Sequence, residues 1–299
     1  MAVCLRLGAR TVHPHQCRCG EPVDHLGHHG LSCARSAVHT PTTTFRITSA
    51  NDVDSSKSEL LANNTSLSVH QRFPHAVLFS QTCGGSIISP KWILTAGHCT
   101  LFQKGRYVLA GTSVSDDGSG VYRAIKRRVI HPLFTVGPYW LNSHTFGIKQ
   151  VMAKYDFLLA ELEEPFPIDG KNIAVIPLGE EMEYPGGDDV GFAGYGAEHH
   201  GETMRHTMHA MDLETVADET CARRFMEFDR RDMVCTKGRP PRFDSACNGD
   251  SGSGIVRQGK LIGIASWVED DAITCRPGTI LVCSRVAAVR DWIRQVTGI

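Results

Sequence analysis

Three short stretches of the sequence supply the side chains that a serine nucleophile needs. They are "TAGHC" with His98, "KYDFLLAEL" with Asp156 and "CNGDSGSG" with Ser251. A serine hydroxyl is a poor nucleophile at neutral pH, so it requires a base that takes its proton and a third group that orients the base. In the chain order histidine, aspartate, serine, these residues fit the three roles. We therefore predict that Ser251 is a nucleophile, with His98 as its base and Asp156 orienting that base.

Each of these motifs also has an ordinary structural interpretation. A histidine beside a cysteine is usually structural or exposed, an aspartate before an apolar strand is usually a turn residue, and Gly-Asp-Ser-Gly is commonly a surface turn. The three motifs occur together in one order, on a chain whose cysteines flank both His98 and Ser251. Their joint occurrence favours a shared catalytic role over three unrelated structural ones.

The elements that would position these residues are short strands. From Gln71 onward, apolar and β-branched runs alternate with turn residues, and this pattern predicts an all-β fold of the barrel or sandwich kind. The predicted strands are "HAVLF", "GSIIS", "KWILTAG", "RYVLAG", "AIKRRVI", "YDFLLAEL", "DVGFAGYG" and "KLIGIASWV". One helix is predicted, at the C-terminal end, where apolar residues recur at helical spacing. They are Val286, Val289, Trp292, Ile293 and Val296.

Composition limits the classes of partner. The 299 residues carry a net charge of -1, so no long-range field attracts nucleic acid or an anionic membrane. No apolar run approaches the roughly 18 residues of a membrane span. Arg6 and Arg10 interrupt the N-terminal apolar stretch, so a signal peptide is not predicted there. We expect neither a nucleic-acid partner nor membrane association.

The front of the chain has a different character from the rest. Cys17, Cys19, His28 and Cys33 have a spacing that could hold a tetrahedral zinc ion, with His29 as an alternative ligand. The competing interpretation is a flexible tail with incidental cysteines. We assign residues 1–45 to this Cys/His-rich segment.

Residues 46–70 are rich in serine, threonine, asparagine and aspartate, and are predicted to form a linker or disordered segment. Overlapping glycosylation sequons occur at Asn63 and Asn64, usable only in a secreted protein.

Residues 71–299 resemble the trypsin/chymotrypsin-type serine proteases. "TAGHC" is similar to the family's Thr-Ala-Ala-His-Cys, with Gly97 as a departure, and "GDSGSG" to its Gly-Asp-Ser-Gly-Gly-Pro, with Ser253 and Gly254 as departures. "DVGFAGYG" stands where the family has Gly-Trp-Gly, with Tyr195 in place of tryptophan. "ASWV" resembles the family's Ser-Trp-Gly segment, which binds the substrate backbone, and "CRPGTILVCSRV" resembles its Pro-Gly-Val-Tyr-Thr-Arg-Val end, with about two extra residues.

The resemblance implies two six-stranded antiparallel β-barrels with the active site between them, followed by a C-terminal helix. It also implies disulfides, and no metal or organic cofactor in the protease domain. The implied pairs are Cys83–Cys99, Cys221–Cys235 and Cys247–Cys275. Cys283 has no family partner.

The same resemblance assigns roles around the nucleophile. The backbone N–H groups of Gly249 and Ser251 would stabilise the oxyanion. Ser266, Trp267 and Val268 would bind the substrate backbone.

The primary specificity pocket would have Ser245 at its base beside Ala246, with Val268 narrowing one wall and Gly278 keeping the opposite wall open. Because Ser245 is neutral, we predict a preference for small or medium apolar residues over Arg and Lys, as in elastase. The alternative is a shifted register that places Asp244 at the base.

Activation is the step that the sequence does not locate. In the resembling family, a newly freed N-terminal ammonium usually pairs with the aspartate before the nucleophile, here Asp250. No matching Ile-Val-Gly-Gly segment occurs near residues 62–65, and Arg46-Ile47 lies too far upstream. The leading hypothesis is an active serine endopeptidase, and the alternative is a protease fold that is inactive or only binds.

Residues 2–39 resemble a Cys/His segment of retrotransposon reverse-transcriptase polyproteins. Thiolate ligands for zinc and structural disulfides belong to different redox compartments. We therefore hypothesise a chimeric gene model in which residues 1–45 are foreign to the protease. The resemblance of residues 71–299 to serine proteases implies a secreted, monomeric enzyme with protein or peptide substrates and inhibitors of the serpin or Kunitz type.

Overall fold

The computed structural model describes residues 67–102, 104–140, 148–268 and 275–299, and the backbone of residues 15–16 and 22–23. Near the N-terminus, strand β1 (His15–Gln16) pairs with β2 (Pro22–Val23) in antiparallel orientation. The proposed zinc ligands, Cys17, Cys19, His28 and Cys33, lie outside the described residues, as do both sequons.

The first barrel closes through the strand order β10-β5-β4-β3-β6-β7. Its strands are β3 (Ala76–Phe79), β4 (Cys83–Ser89), β5 (Trp92–Thr95), β6 (Tyr107–Ala110), β7 (Val121–Ile130) and β10 (Leu158–Leu162). Every neighbouring pair is antiparallel. Because β5 and β10 are neighbours, the segments that carry His98 and Asp156 start from adjacent strands.

The second barrel closes through the order β11-β12-β13-β16-β15-β14. Its strands are β11 (Asp189–Gly194), β12 (His209–Val216), β13 (Met233–Gly238), β14 (Gly254–Arg257), β15 (Lys260–Val268) and β16 (Leu281–Arg285). Ser251 lies in the connection that enters β14. The predicted all-β architecture of two six-stranded barrels is confirmed.

A separate antiparallel ribbon precedes the aspartate. Strands β8 (Thr135–Trp140) and β9 (Ile148–Lys154) pair only with each other. The sequence pattern had not indicated these strands, nor β12, β13, β14 and β16. Met152 of β9 is buried in the same apolar cluster as Trp267 of β15, so the ribbon is anchored beside the substrate-binding segment.

The described part of the chain contains three α-helices, α1 (Val69–Arg72), α2 (Asp218–Arg224) and α3 (Arg290–Thr297). The predicted C-terminal helix is present, but its first turn, Val286–Val289, is a 3₁₀ helix and Arg285 still belongs to β16. Helix α1 begins inside the segment predicted as a linker. Neither α1 nor α2 was predicted.

Three disulfides cross-link the two barrels internally, as the resemblance implies. They are Cys83–Cys99, Cys221–Cys235 and Cys247–Cys275. Cys283 is a buried free thiol, and burial raises its pKa to about 12, so it stays protonated and unreactive at neutral pH.

Candidate active site

A buried ion pair joins the histidine and the aspartate. The chain leaves β5 and turns at once into a 3₁₀ helix, Gly97–Phe102, which carries His98. Its Nδ1 lies 2.6 Å from Asp156 Oδ2, and its backbone N–H donates to Asp156 Oδ1 at 2.8 Å. Asp156 is fully buried. Two bonds from one residue therefore fix the carboxylate and the imidazole relative to each other.

The electrostatics keep this pair in the charge state that a general base requires. Burial alone would raise the pKa of Asp156, but the charge and the hydrogen bonds of His98 lower it below its ordinary value. Burial would likewise lower the pKa of His98, and the charge and hydrogen bond of Asp156 raise it above its ordinary value overall. Asp156 is therefore ionised at neutral pH and increases the basicity of His98.

The hydroxyl of Ser266 forms a further hydrogen bond to the carboxylate of Asp156. Ser266 Oγ donates to Asp156 Oδ2 at 2.5 Å, and this bond also favours the carboxylate form. The side chain of Ser266, which the sequence placed among the substrate-binding residues, is therefore directed to Asp156. A substrate contact through its backbone stays a prediction.

The departure at Gly97 has a local explanation. A Cβ atom at this position would lie 3.1 Å from the Phe134 ring and 3.2 Å from Asp156 Oδ1. The Phe134 ring thus occupies the space that a methyl group would need, and glycine keeps the turn that carries His98 compatible with this ring.

The nucleophile turn packs directly against the histidine turn. Gly84 N–H donates to the Ser251 carbonyl at 2.8 Å. A Cβ atom on Gly252 would lie 3.2 Å from the Ala96 nitrogen and 2.5 Å from the Gly84 oxygen, and its φ is +82°. Glycine is therefore required here, because this close approach holds Ser251 of the second barrel against the first.

Gly249 has the conformation expected of an oxyanion donor. Its φ is +101°, and a Cβ atom there would lie 2.8 Å from Met204 Sδ. The Met204 side chain therefore packs on the Cα of Gly249. The sequence gave no signal for Met204, since a single methionine in a loop has no pattern.

We expect Gly249→Ala to lower kcat by about 100- to 1000-fold, the usual cost of removing one oxyanion donor. The added methyl group would collide with Met204 at a backbone angle that alanine avoids, so the N–H would move. The measurement is kcat on a peptide p-nitroanilide. Gly187→Ala is the matched control, because Gly187 has a φ of +89° with nothing near its Cβ position. Equal losses in the two variants would contradict a role for Gly249.

The aspartate before the nucleophile is completely enclosed. Asp250 accepts hydrogen bonds from Gly196 N–H at 3.0 Å and Cys247 N–H at 2.9 Å. Burial raises its pKa to about 7, although both hydrogen bonds lower it. The positive charge of Arg205 also lowers this pKa, but within the described ranges no cationic group forms an ion pair with Asp250.

The strand register shows which residues of β16 lie beside the predicted substrate-binding segment. Val268 of β15 is the Cα partner of Leu281 of β16, and Trp267 is the partner of Val282. Val268, Leu281, Ala246 and Cys283 belong to one buried apolar cluster. The role of Gly278 in the wall opposite Val268 stays a prediction. Gly278 lies in the preceding turn, where its N–H donates to the Phe243 carbonyl.

Asp244, the alternative for the pocket base, has its carboxylate engaged by neighbouring groups. Its Oδ2 accepts the Asp212 backbone N–H at 3.0 Å and Arg242 Nη2 at 2.8 Å, at the exposed edge of the barrel. Ser245 is partly buried, and its Oγ lies 3.4 Å from the Ala246 carbonyl. Whether Ser245 or Asp244 forms the base of the pocket stays a prediction.

Comparisons with known proteins agree with this arrangement. The family model described as Trypsin matches residues 62–293. The chain belongs to the trypsin family. Scolexin B from Heliothis virescens is 60% identical over 232 residues, which cover 77% of this chain and 80% of that protein. Trypsin 5G1 from Aedes aegypti is 30% identical over 225 residues, covering 74% and 77%.

A solved structure shares the fold. Neuropsin, a serine protease expressed in the limbic system of mouse brain, superimposes with a TM-score of 0.60 at 21% identity, over 76% of this chain and 95% of that one. The trypsin-family match begins at residue 62, upstream of the boundary at 71 that the strand pattern indicated. Trypsin-family proteases are typically secreted, and no helix in the described ranges is long and apolar enough to cross a membrane.

The trypsin-family departure at Tyr195 is accommodated in the core. The Tyr195 hydroxyl donates to the Thr112 carbonyl at 2.9 Å, so the buried phenol has a partner.

Across the described ranges, no group of three or more His, Cys, Asp or Glu side chains is placed to hold a metal ion.

Proposed function

We propose that this protein is a serine endopeptidase that hydrolyses peptide bonds through an acyl-enzyme on Ser251. The observation that carries the proposal is the buried His98–Asp156 pair, with atoms 2.6 Å apart, against which the Ser251 turn packs. A structural histidine does not need a fully buried carboxylate on its Nδ1. A general base does, because that bond leaves Nε2 free to accept a proton.

The mechanism assigns each group one task. Ser251 Oγ attacks the scissile carbonyl while His98 takes its proton. His98 then gives this proton to the leaving amine, and a water molecule repeats the sequence on the acyl-enzyme. Asp156 holds the Nδ1–H tautomer and stabilises the imidazolium that forms. The N–H groups of Gly249 and Ser251 bind the oxyanion.

The pocket favours a small or medium apolar side chain on the acyl side of the scissile bond. Val268 and Leu281 are paired on neighbouring strands and are both buried, so their side chains lie side by side and would make this part of the pocket narrow and apolar. A guanidinium or ammonium group placed there would lose its hydration without gaining a carboxylate.

We further propose that Asp250 binds a cation in the active form. At a pKa of about 7, its carboxylate is only partly ionised in the absence of such a partner. The ammonium of a newly cleaved N-terminus would supply the missing charge. A chain without this cation is the latent form, which accounts for the alternative of a protein that binds substrates without cutting them.

The proposal includes the compartment and the partners. Three disulfides suit an oxidising environment, so we propose secretion and action on protein or peptide substrates. Inhibition by serpin- or Kunitz-type proteins, and a monomeric state, stay predictions.

Labelling with a fluorophosphonate probe tests the reaction directly. We expect the mature protein to be labelled and Ser251→Ala to lose all labelling together with p-nitroanilide hydrolysis. Ser253→Ala is the matched control, because Ser253 Oγ is buried without a hydrogen-bond partner and its removal should leave labelling intact. Labelling that persists in Ser251→Ala would refute the proposal.

A further inference from the structure

Three basic residues lie close to the turn between β3 and β4, two of them connected to it through the backbone and one through its side chain. Ser80 is the centre of this group: its carbonyl accepts Lys104 N–H at 3.2 Å, and its N–H donates to the Tyr107 carbonyl at 3.0 Å. Its Oγ lies 3.4 Å from Arg128 Nη2. Arg106 precedes Tyr107 and accepts a backbone bond from β7. We call Lys104, Arg106 and Arg128 the basic cluster.

The basic cluster has no compensating carboxylate in the part of the chain that the structure describes. None of its three members forms an ion pair there. The neighbouring basic residues of β7 differ in this respect, because Lys126 and Arg127 both bind Glu161. The positive charge at the Ser80 turn is therefore a local excess within a chain whose net charge is nearly zero.

Arg128 is the most deeply enclosed member of the basic cluster. Its guanidinium carbon stands 6.0 Å from the centre of the Phe79 ring, and its Nε is buried without a hydrogen-bond partner. Burial, and then the positive charge of Arg106, lower its pKa. A like-charge neighbour destabilises the free protein, and an anion bound near Arg106 and Arg128 would relieve this repulsion.

The surroundings indicate which anion fits. A guanidinium group matches a carboxylate or sulfate by its planar pair of donors. A linear polysaccharide would need a continuous basic track, and Glu161 interrupts that track at Lys126 and Arg127. Tyr107 is 56% exposed beside Arg106 and offers an apolar ring next to the charges. This combination fits a short acidic peptide with apolar side chains between its carboxylates.

We propose that the basic cluster is a docking site for an acidic segment of a partner protein. Its position gives the site a role at the catalytic cleft. The turn at Ser80 leads directly to Cys83, whose disulfide partner Cys99 follows His98. Phe79 and Cys83 are paired across this turn, so the turn is tied to the segment that carries His98, and an acidic segment bound there would extend the contact between enzyme and partner.

The test measures binding on the full-length chain carrying Ser251→Ala, so that its outcome is independent of whether the protein cuts. The probe is a fluorescein-labelled peptide of about twelve alternating Glu and Tyr residues, titrated at low salt. We expect Arg106→Gln/Arg128→Gln to raise Kd by about tenfold or more, as for two lost charge-assisted contacts. We also expect the parent Kd to rise with salt concentration.

Lys126→Gln/Arg127→Gln is the matched control, since it removes the same charge from residues that already have a partner. It should leave Kd within about twofold. An unchanged Kd in the first double variant would overturn the proposal, as would equal losses in both. A heparin fragment that binds through the cluster while the peptide does not would also overturn it. Arg106→Gln alone, at an exposed position, gives the same comparison if the variant at Arg128 does not fold.

Discussion

Asp156→Asn is expected to lower kcat by about ten-thousand-fold while leaving the fold intact. Asn is nearly isosteric, so it can still accept the His98 backbone N–H that Asp156 Oδ1 now binds. Its amide, however, is a donor on the other side and favours the wrong imidazole tautomer. The measurement is kcat on a small apolar p-nitroanilide, with the melting temperature recorded for both proteins.

The pH profile separates a catalytic effect of Asp156 from a structural one. The base must be neutral, so kcat/KM rises with pH through the pKa of His98. In the parent protein that pKa lies above its ordinary value because Asp156 opposes the effect of burial. In Asp156→Asn only burial remains, so the acidic limb of the residual activity should move to lower pH.

Ser266→Ala is the control for this variant. It removes the hydroxyl that donates to the same oxygen but leaves the negative charge in place. We expect a loss of less than about tenfold and a small shift of the acidic limb. A loss as large as that of Asp156→Asn would mean that the hydrogen-bond network, and not the charge, governs the rate.

The sequence predicted the parts of the site that depend on local motifs. His98, Asp156 and Ser251 each stand in a short stretch whose residue types reflect a tight turn or a buried strand. Their neighbourhood follows from strand pairing, and the all-β pattern with family resemblance was enough to anticipate it. The three disulfides were likewise implied by the resemblance.

The sequence did not reveal contacts that depend on register or on distant loops. The pairing of Leu281 of β16 with Val268 of β15 had no signal in the sequence, because it depends on the register of the two strands. The bond from Ser266 to Asp156 and the contact of Met204 with Gly249 join segments far apart in the chain. Such contacts follow from closure of the barrels, which a linear pattern does not contain.

Buried charge is a second limit of the sequence. Arg285 ends a strand and would be expected on the surface. It is fully buried, where its Nη2 binds both oxygens of Asp218 at 2.9 Å and its Nε donates to the Met233 carbonyl. These partners satisfy the guanidinium and hold α2 against the second barrel. No local pattern distinguishes such an arginine from an exposed one.

Leu281→Ala is expected to shift the preference of the enzyme toward larger apolar side chains. Leu281 is paired with Val268 and buried in the same apolar cluster, so removing its side chain should open space in the proposed pocket. The ratio of kcat/KM for a phenylalanine p-nitroanilide to that for an alanine p-nitroanilide should rise by about 10- to 100-fold, the scale of one or two methylene groups in a pocket. The parent protein should cleave the alanine substrate faster than an arginine one.

The substitution also creates a cavity, so a stability effect must be distinguished from a specificity effect. A buried Leu→Ala change costs about 2–5 kcal/mol of unfolding free energy. Leu109→Ala is the control, because Leu109 is equally buried in the first barrel and belongs to a different apolar cluster. It should lower stability and leave the substrate ratio unchanged. If Leu281→Ala also leaves the substrate ratio unchanged, Leu281 does not line the pocket. If the parent protein cleaves the arginine substrate faster than the alanine substrate, a negatively charged group in the pocket determines its specificity.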